Sequence, residues 1–117
     1  MKRSGFKSPR KPMKQRSDKR KAYRASDEGK AALEYMRKVK QLDCCVCGAY
    51  GPSDAHHVIH DRFGSRKSSD FDVIPLCRSH HMDGPGAIHN GKETWRQIHG
   101  ADWSYIDSTR MRVGEMQ

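Results

Sequence analysis

Three features of the chain together predict a small α+β domain held by a metal ion rather than by a large apolar core. Two ligand-type pairs, Cys44-x-x-Cys47 and Cys77-x-x-His80, stand about thirty residues apart. Two short apolar stretches, Ala55–Ile59 and Phe71–Leu76, lie between them, and helical periodicity flanks the whole. Hydrophobic residues are only 34% of the 117 residues and charged residues 32%, so little apolar surface is there to bury. Domains this small and polar usually rely on a metal or on disulfides.

The elements follow in chain order. Residues 1–24 carry 11 of the 23 Lys and Arg and a single acid, Asp18. That segment is +10 within a net charge of +9, so the remainder is nearly neutral. Two prolines and few apolar residues predict a disordered basic arm. Such an arm attracts phosphate backbones with little regard to sequence. Lys7, Arg10, Lys11, Lys14, Arg16, Lys19, Arg20 and Lys21 are its candidate nucleic-acid contacts. A helix is expected over 25–42, with Ser26 as N-cap and Asp27 and Glu28 in the first turn. Its packing face is Ala32, Leu33, Tyr35, Met36 and Val39.

The remaining segment, 43–117, reads as the metal-containing domain. Gly48, Gly51 and Pro52 mark turns, and Ala55–Ile59 is a strand. Asp61–Asp70 is a polar loop, whose Arg62, Arg66 and Lys67 are candidate phosphate contacts. Phe71–Leu76 is the second strand, and Cys77 opens a helix that Asp83-Gly84-Pro85-Gly86 interrupts. Glu93–His99 is a further helix closed by Gly100, with Trp95 and Ile98 as its buried face.

The basic arm lacks the apolar run of an export signal, and no stretch is long enough to span a membrane. Four cysteines in that setting predict a reducing, cytoplasmic compartment, where thiols bind metal more often than they pair. Zinc favours four soft or borderline ligands in a tetrahedron, and a two-residue gap lets both members of a pair reach one ion. Cys44, Cys47, Cys77 and His80 are therefore the expected structural Zn²⁺ ligands. Cys45 offers only Cys45-x-Cys47, a poor clamp, and is left out.

Between the pairs lies Ala55-His56-His57-Val58-Ile59-His60, and His81 follows His80. Neighbouring strand residues point to opposite sides, so His56 and His57 have different roles. One can bind a metal while the other faces a water. A zinc site that staples strand to helix brings His81 towards this doublet. A divalent ion with a neutral histidine beside it suits phosphodiester hydrolysis.

The runs AHHVI and DVIPLCRSHH resemble the H-N-H (ββα-metal, or His-Me finger) endonuclease pattern with an embedded zinc site. The resemblance covers residues 44 to about 82 and implies a ββα-metal core. It makes His56 and His81 ligands of a catalytic metal, Mg²⁺ or Mn²⁺ with Zn²⁺ as the other option. It makes His57 the general base. The middle Asn of the pattern falls on Asp72, which accepts hydrogen bonds but does not donate them when ionised. His80 replaces the usual second cysteine of its pair. Gly86-Ala87-Ile88-His89 and Trp95…His99-Gly100 resemble a narrower group, the phage recombination-enhancement (Ref) nucleases, which act with RecA filaments. That likeness implies DNA and a RecA filament as partners. His60 and His89 are open as added ligands at either metal.

The expected activity is thus a metal-dependent DNA endonuclease of low intrinsic sequence specificity, since no base-reading helix is evident. Two other classes compete with it. A non-catalytic zinc module that binds nucleic acid would have no need of His56, His57 and His81 together. A small assembly protein would use the arm against an acidic protein surface.

Overall fold

The computed structural model of the protein describes residues 18–62 and 68–116. In these, helices α1 (Asp18–Ala25) and α2 (Asp27–Lys40) precede strand β1 (Asp54–His57) and strand β2 (Val73–Leu76). Short helix α3 (Arg78–His81), a 3-10 turn at Ile88–Asn90 and α4 (Lys92–His99) follow. A second 3-10 turn at Asp102–Tyr105 runs into α5 (Ile106–Gly114). The class is α+β, and no helix among the described residues is long and apolar enough to cross a membrane.

The two strands pair antiparallel, with Asp54 opposite Leu76, His56 opposite Ile74 and His57 opposite Val73. Alternation sends successive side chains of β2 to opposite layers. Ile74 and Leu76 join Cys44, Val58, Ile88 and Trp95 in one apolar cluster. Val73 packs instead with Met36, Val39 and Val113 from α2 and α5. All four β2 residues are buried, which explains their uninterrupted apolar character. Residues directly opposite in the ladder share a face, so His56 turns to the Ile74 side and His57 to the Val73 side.

Two local expectations are corrected. Residues 18–24, expected to be disordered arm, are helical and dock on α2. Ser26 makes that junction: its Oγ accepts from Gly29 N (3.1 Å), capping α2, and donates to the Tyr23 carbonyl (2.5 Å). Gly29 permits the approach, because a Cβ there would collide with the Tyr23 carbonyl oxygen. The arm residues Lys7, Arg10, Lys11, Lys14 and Arg16 lie outside the described residues, as do Arg66 and Lys67. The second correction concerns packing faces. Leu33 and Ile98 are exposed, at 38% and 68%. On α4 the inward positions go to Trp95 and to His99 one turn later, whose rings lie 4.8 Å apart, and this leaves Ile98 on the flank.

Gly29→Ala is expected to push α1 off α2 at a cost of about 1–3 kcal/mol. Limited proteolysis checks this: cleavage between residues 18 and 29 accelerates while the rest of the domain stays resistant. An unchanged digestion pattern and melting temperature would contradict the docking.

Candidate metal centres

The first group is Cys44, Cys47, Cys77 and His80, whose ligand atoms all lie within 4.8 Å of one another. A turn carries the first pair: Gly48 N donates to Cys44 O (2.9 Å) with Gly48 at φ 74°, a backbone state that suits glycine. Cys77 is the residue before α3, and His80 reaches back from that helix, Nδ1 3.3 Å from Cys77 Sγ. Cys47 Sγ and Cys77 Sγ are 3.7 Å apart. Two ligands of one tetrahedral zinc ion stand roughly 3.5–3.8 Å apart, so these separations fit within a few tenths of an ångström. Burial opposes ionisation of Cys44, but hydrogen bonds with the backbone at Cys47, Cys77 and Val46 outweigh it and lower the thiol pKa. Cys45 is the contrast. Burial, then the neighbouring Cys44, pushes its pKa up to about 12, so it stays a thiol and lies outside the group. The set can hold zinc.

The second group is His56, His81 and His89, again with ligand atoms within 4.8 Å. Three elements supply it. His56 comes from β1, His81 from the end of α3, and His89 from the 3-10 turn. His80 and His81 are successive helical residues, about 100° apart around the axis, so one faces the thiols and the other faces His56. Asn90 positions His89 by donating from Nδ2 to the carbonyls of Met82 (3.0 Å) and Gly84 (2.8 Å). Nε2 of His81 lies 3.2 Å from Nε2 of His89. Nδ1 of His81 bonds Asp54 Oδ2 at 2.8 Å, and Arg78 braces that carboxylate at 3.4 Å. An ionised carboxylate only accepts, so Nδ1 of His81 is the donor in this pair, and Nε2 is the nitrogen left to face His89. His56 is buried, with Nε2 3.0 Å from Asp102 Oδ2. Burial lowers its pKa against the opposing pull of Asp102. Burial, then His56 and His81, also lowers that of His89. Neutral imidazoles are the metal-binding form.

His57 belongs to a different neighbourhood. Its Nε2 bonds Asp70 Oδ1 at 2.8 Å, and the other carboxylate oxygen lies 3.8 Å from Arg24 of α1. Asp72 is not with the histidines. Its carboxylate, expected to serve catalysis, is bound by Arg110 of α5 at 2.5 Å. His60 is not a ligand either. It is buried, donating from Nε2 to the Lys92 carbonyl (2.9 Å) and accepting at Nδ1 from Asp102 N (2.9 Å). It therefore ties the exit of β1 to α4 and to the second 3-10 turn. Asp61 does similar work outside: Arg96 grips it at 2.9 and 3.0 Å and Trp103 Nε1 at 2.9 Å. Those donors bring its pKa to about 2.

Lys19, Arg20 and Lys21 are exposed on α1, and Arg62 is exposed after β1. Sequence reasoning missed Asp54, Asp70 and Asp102. Asp54 directly precedes the histidine strand, so its place on the strand was readable, but its partner was not. Asp70 lay in a loop read for its cations, and Asp102, 46 residues beyond His56, carries no local signal.

The comparisons span nearly all of this architecture. A protein of Escherichia coli (strain K12) described as "Uncharacterized protein YdfU" is 33% identical over 75 residues, 62% of this chain. That segment is 20% of the relative, so the chain spans only about a fifth of its length. No solved structure gives a significant match. The family model described as "Protein of unknown function (DUF968)" matches residues 15–112, a span that holds both metal-type groups, Asp70 and Asp102. The chain belongs to the DUF968 family.

Proposed function

We propose that this protein is a metal-dependent DNA endonuclease of the H-N-H type, hydrolysing phosphodiester bonds with low intrinsic sequence specificity. One observation carries the reading: a three-histidine group stands beside, and separate from, a Cys3His group, and a carboxylate-held histidine neighbours it in the strand. A zinc module needs the first group only. The antiparallel β1–β2 pair followed by α3 is the element order of a ββα-metal finger and supports that assignment.

His56, His81 and His89 would hold the catalytic divalent ion, Mg²⁺ or Mn²⁺ or a second Zn²⁺. The ion would supply charge stabilisation at the scissile phosphate and the leaving oxygen. Cys44, Cys47, Cys77 and His80 would hold a structural zinc that fixes α3 to the strand pair. The chain's own contribution to the chemistry centres on His57. Asp70 would accept from its Nε2, and Nδ1 of the neutral ring would then take the proton from an attacking water. The 22% side-chain exposure of His57 leaves room for that water. Exposed His89 opens the metal side to a phosphate. The basic arm and Arg62, Arg66 and Lys67 would hold the DNA backbone. The likeness to Ref nucleases extends the proposal to recombination in a phage-type setting, with a RecA filament supplying target choice in the bacterial cytoplasm. The second reading, a non-catalytic nucleic-acid module, draws on one observation: Asp72, the residue at the middle position of the motif, has its carboxylate paired with Arg110.

Plasmid nicking with Mg²⁺ or Mn²⁺, with and without RecA and ATP, tests the proposal. His57→Ala is expected to slow nicking about 10²–10⁴-fold while DNA binding and zinc content persist. Undiminished nicking would remove His57 from the base role, and tight binding without nicking under any condition would favour the module. Cys77→Ser is expected to lose the tightly held zinc and the cooperative melt. A variant or chelated protein that melts like the wild type would defeat the staple. Deleting residues 1–17, which removes seven of the eleven arm cations, is expected to weaken DNA binding and flatten its salt dependence. An unchanged slope of log affinity against log salt would count against the arm.

A further inference from the structure

Asp102 is fully buried, and every hydrogen bond to its carboxylate is accepted. Oδ2 accepts from Ile59 N (2.7 Å) and His56 Nε2 (3.0 Å), and Oδ1 accepts from His60 N (3.2 Å). The two backbone donors are consecutive, at the point where the chain leaves β1. The carboxylate therefore fixes the strand exit and the ring of His56 with one group. An ionised carboxylate cannot donate, so the His56 nitrogen facing it must carry the proton. Nδ1 is then the only lone pair His56 has for a metal. A buried charge of this kind is a poor choice for stability alone, since apolar packing of similar volume serves as well or better.

We propose that Asp102 is the positioning residue of the histidine centre. It locks His56 in the Nε2–H tautomer and turns a bare Nδ1 towards His81 and His89. Asp54 does the same for His81 through the opposite nitrogen, so two ligands on different elements are each held by a carboxylate. Such carboxylate–histidine pairs raise ligand basicity and fix ring orientation at metal sites. The proposal rests on the reading of His56, His81 and His89 as a metal centre. The competing role for Asp102 is to satisfy the Ile59 and His60 amides and nothing more.

Nitrogen-15 NMR of the histidine side chains, on the zinc-loaded full chain without a further divalent ion, tests the tautomer directly. The expected spectrum shows His56 protonated at Nε2 and bare at Nδ1. Protonation at Nδ1 would overturn the proposal whether or not the protein cuts DNA. Mn²⁺ and Co²⁺ titrations of wild type and Asp102→Asn then test the coupling. An amide offers one acceptor atom where three donors converge, so ring and strand are no longer held together. The expected loss of affinity at the second site is about 10–100-fold, with the Cys3His zinc retained. Equal affinity in a variant that has kept its zinc would reduce Asp102 to a backbone cap. Should Asp102→Asn not fold, the wild-type tautomer still decides the assignment. A wild type with the expected tautomer but no second-metal binding would sustain the lock and refute the metal reading on which it rests.

Discussion

The pairing of Asp54–His57 with Val73–Leu76 governs where the chemically active side chains point, because a strand has only two faces. His56, opposite Ile74, turns to the layer built by α3, the two 3-10 turns and α4. His57, opposite Val73, turns to the layer of α2 and α5. A slip of one residue would exchange the two histidines and bring His57 against Asp102. The register is held where both faces of β2 are buried, and the backbone donor Cys45 N bonds the Pro75 carbonyl at 3.0 Å beyond the ladder. Proline in the middle of a strand donates nothing, yet its carbonyl ties the cysteine turn to the sheet.

The two ligand groups divide by chemistry as well as by place. Three thiols and an imidazole form a soft set suited to zinc, and three imidazoles form a harder, more open set. They meet in one helical turn, where His80 and His81 part by the angle between successive residues of a helix. Moving α3 would disturb both groups together. In this way a small apolar cluster and a compact Cys3His group stand behind three histidines brought from three elements to short range, although none of those elements exceeds four residues.

Carboxylates complete the arrangement. Asp102, Asp54 and Asp70 each lie within hydrogen-bond distance of one ring nitrogen of a different histidine. Asp70 also lies beside Arg24, so the docked end of the basic segment stands next to the group that orients His57. Gly29 makes that docking sterically possible. The segment expected to be a free arm is thereby joined, at its last turns, to the Asp70–His57 pair on the α2 and α5 side of the sheet.

The α+β class, the Cys3His group, the helix begun at Ser26 and the opposite facing of His56 and His57 were legible in the sequence. Each depends on spacing or periodicity over a few residues. The partner of Asp72 was not legible, because a motif position says where a residue sits in the chain, and the Arg110 that binds its carboxylate stands 38 residues later. His60 and His89 looked equivalent, and only packing made one a buried strut and the other an exposed member of the three-histidine group. The sequence by itself determined the ligand types and the local geometry that clamps them, because covalent spacing sets both. Only the tertiary structure decided which carboxylate holds which histidine, because those partners lie 13, 27 and 46 residues away and are brought together by burial rather than by spacing.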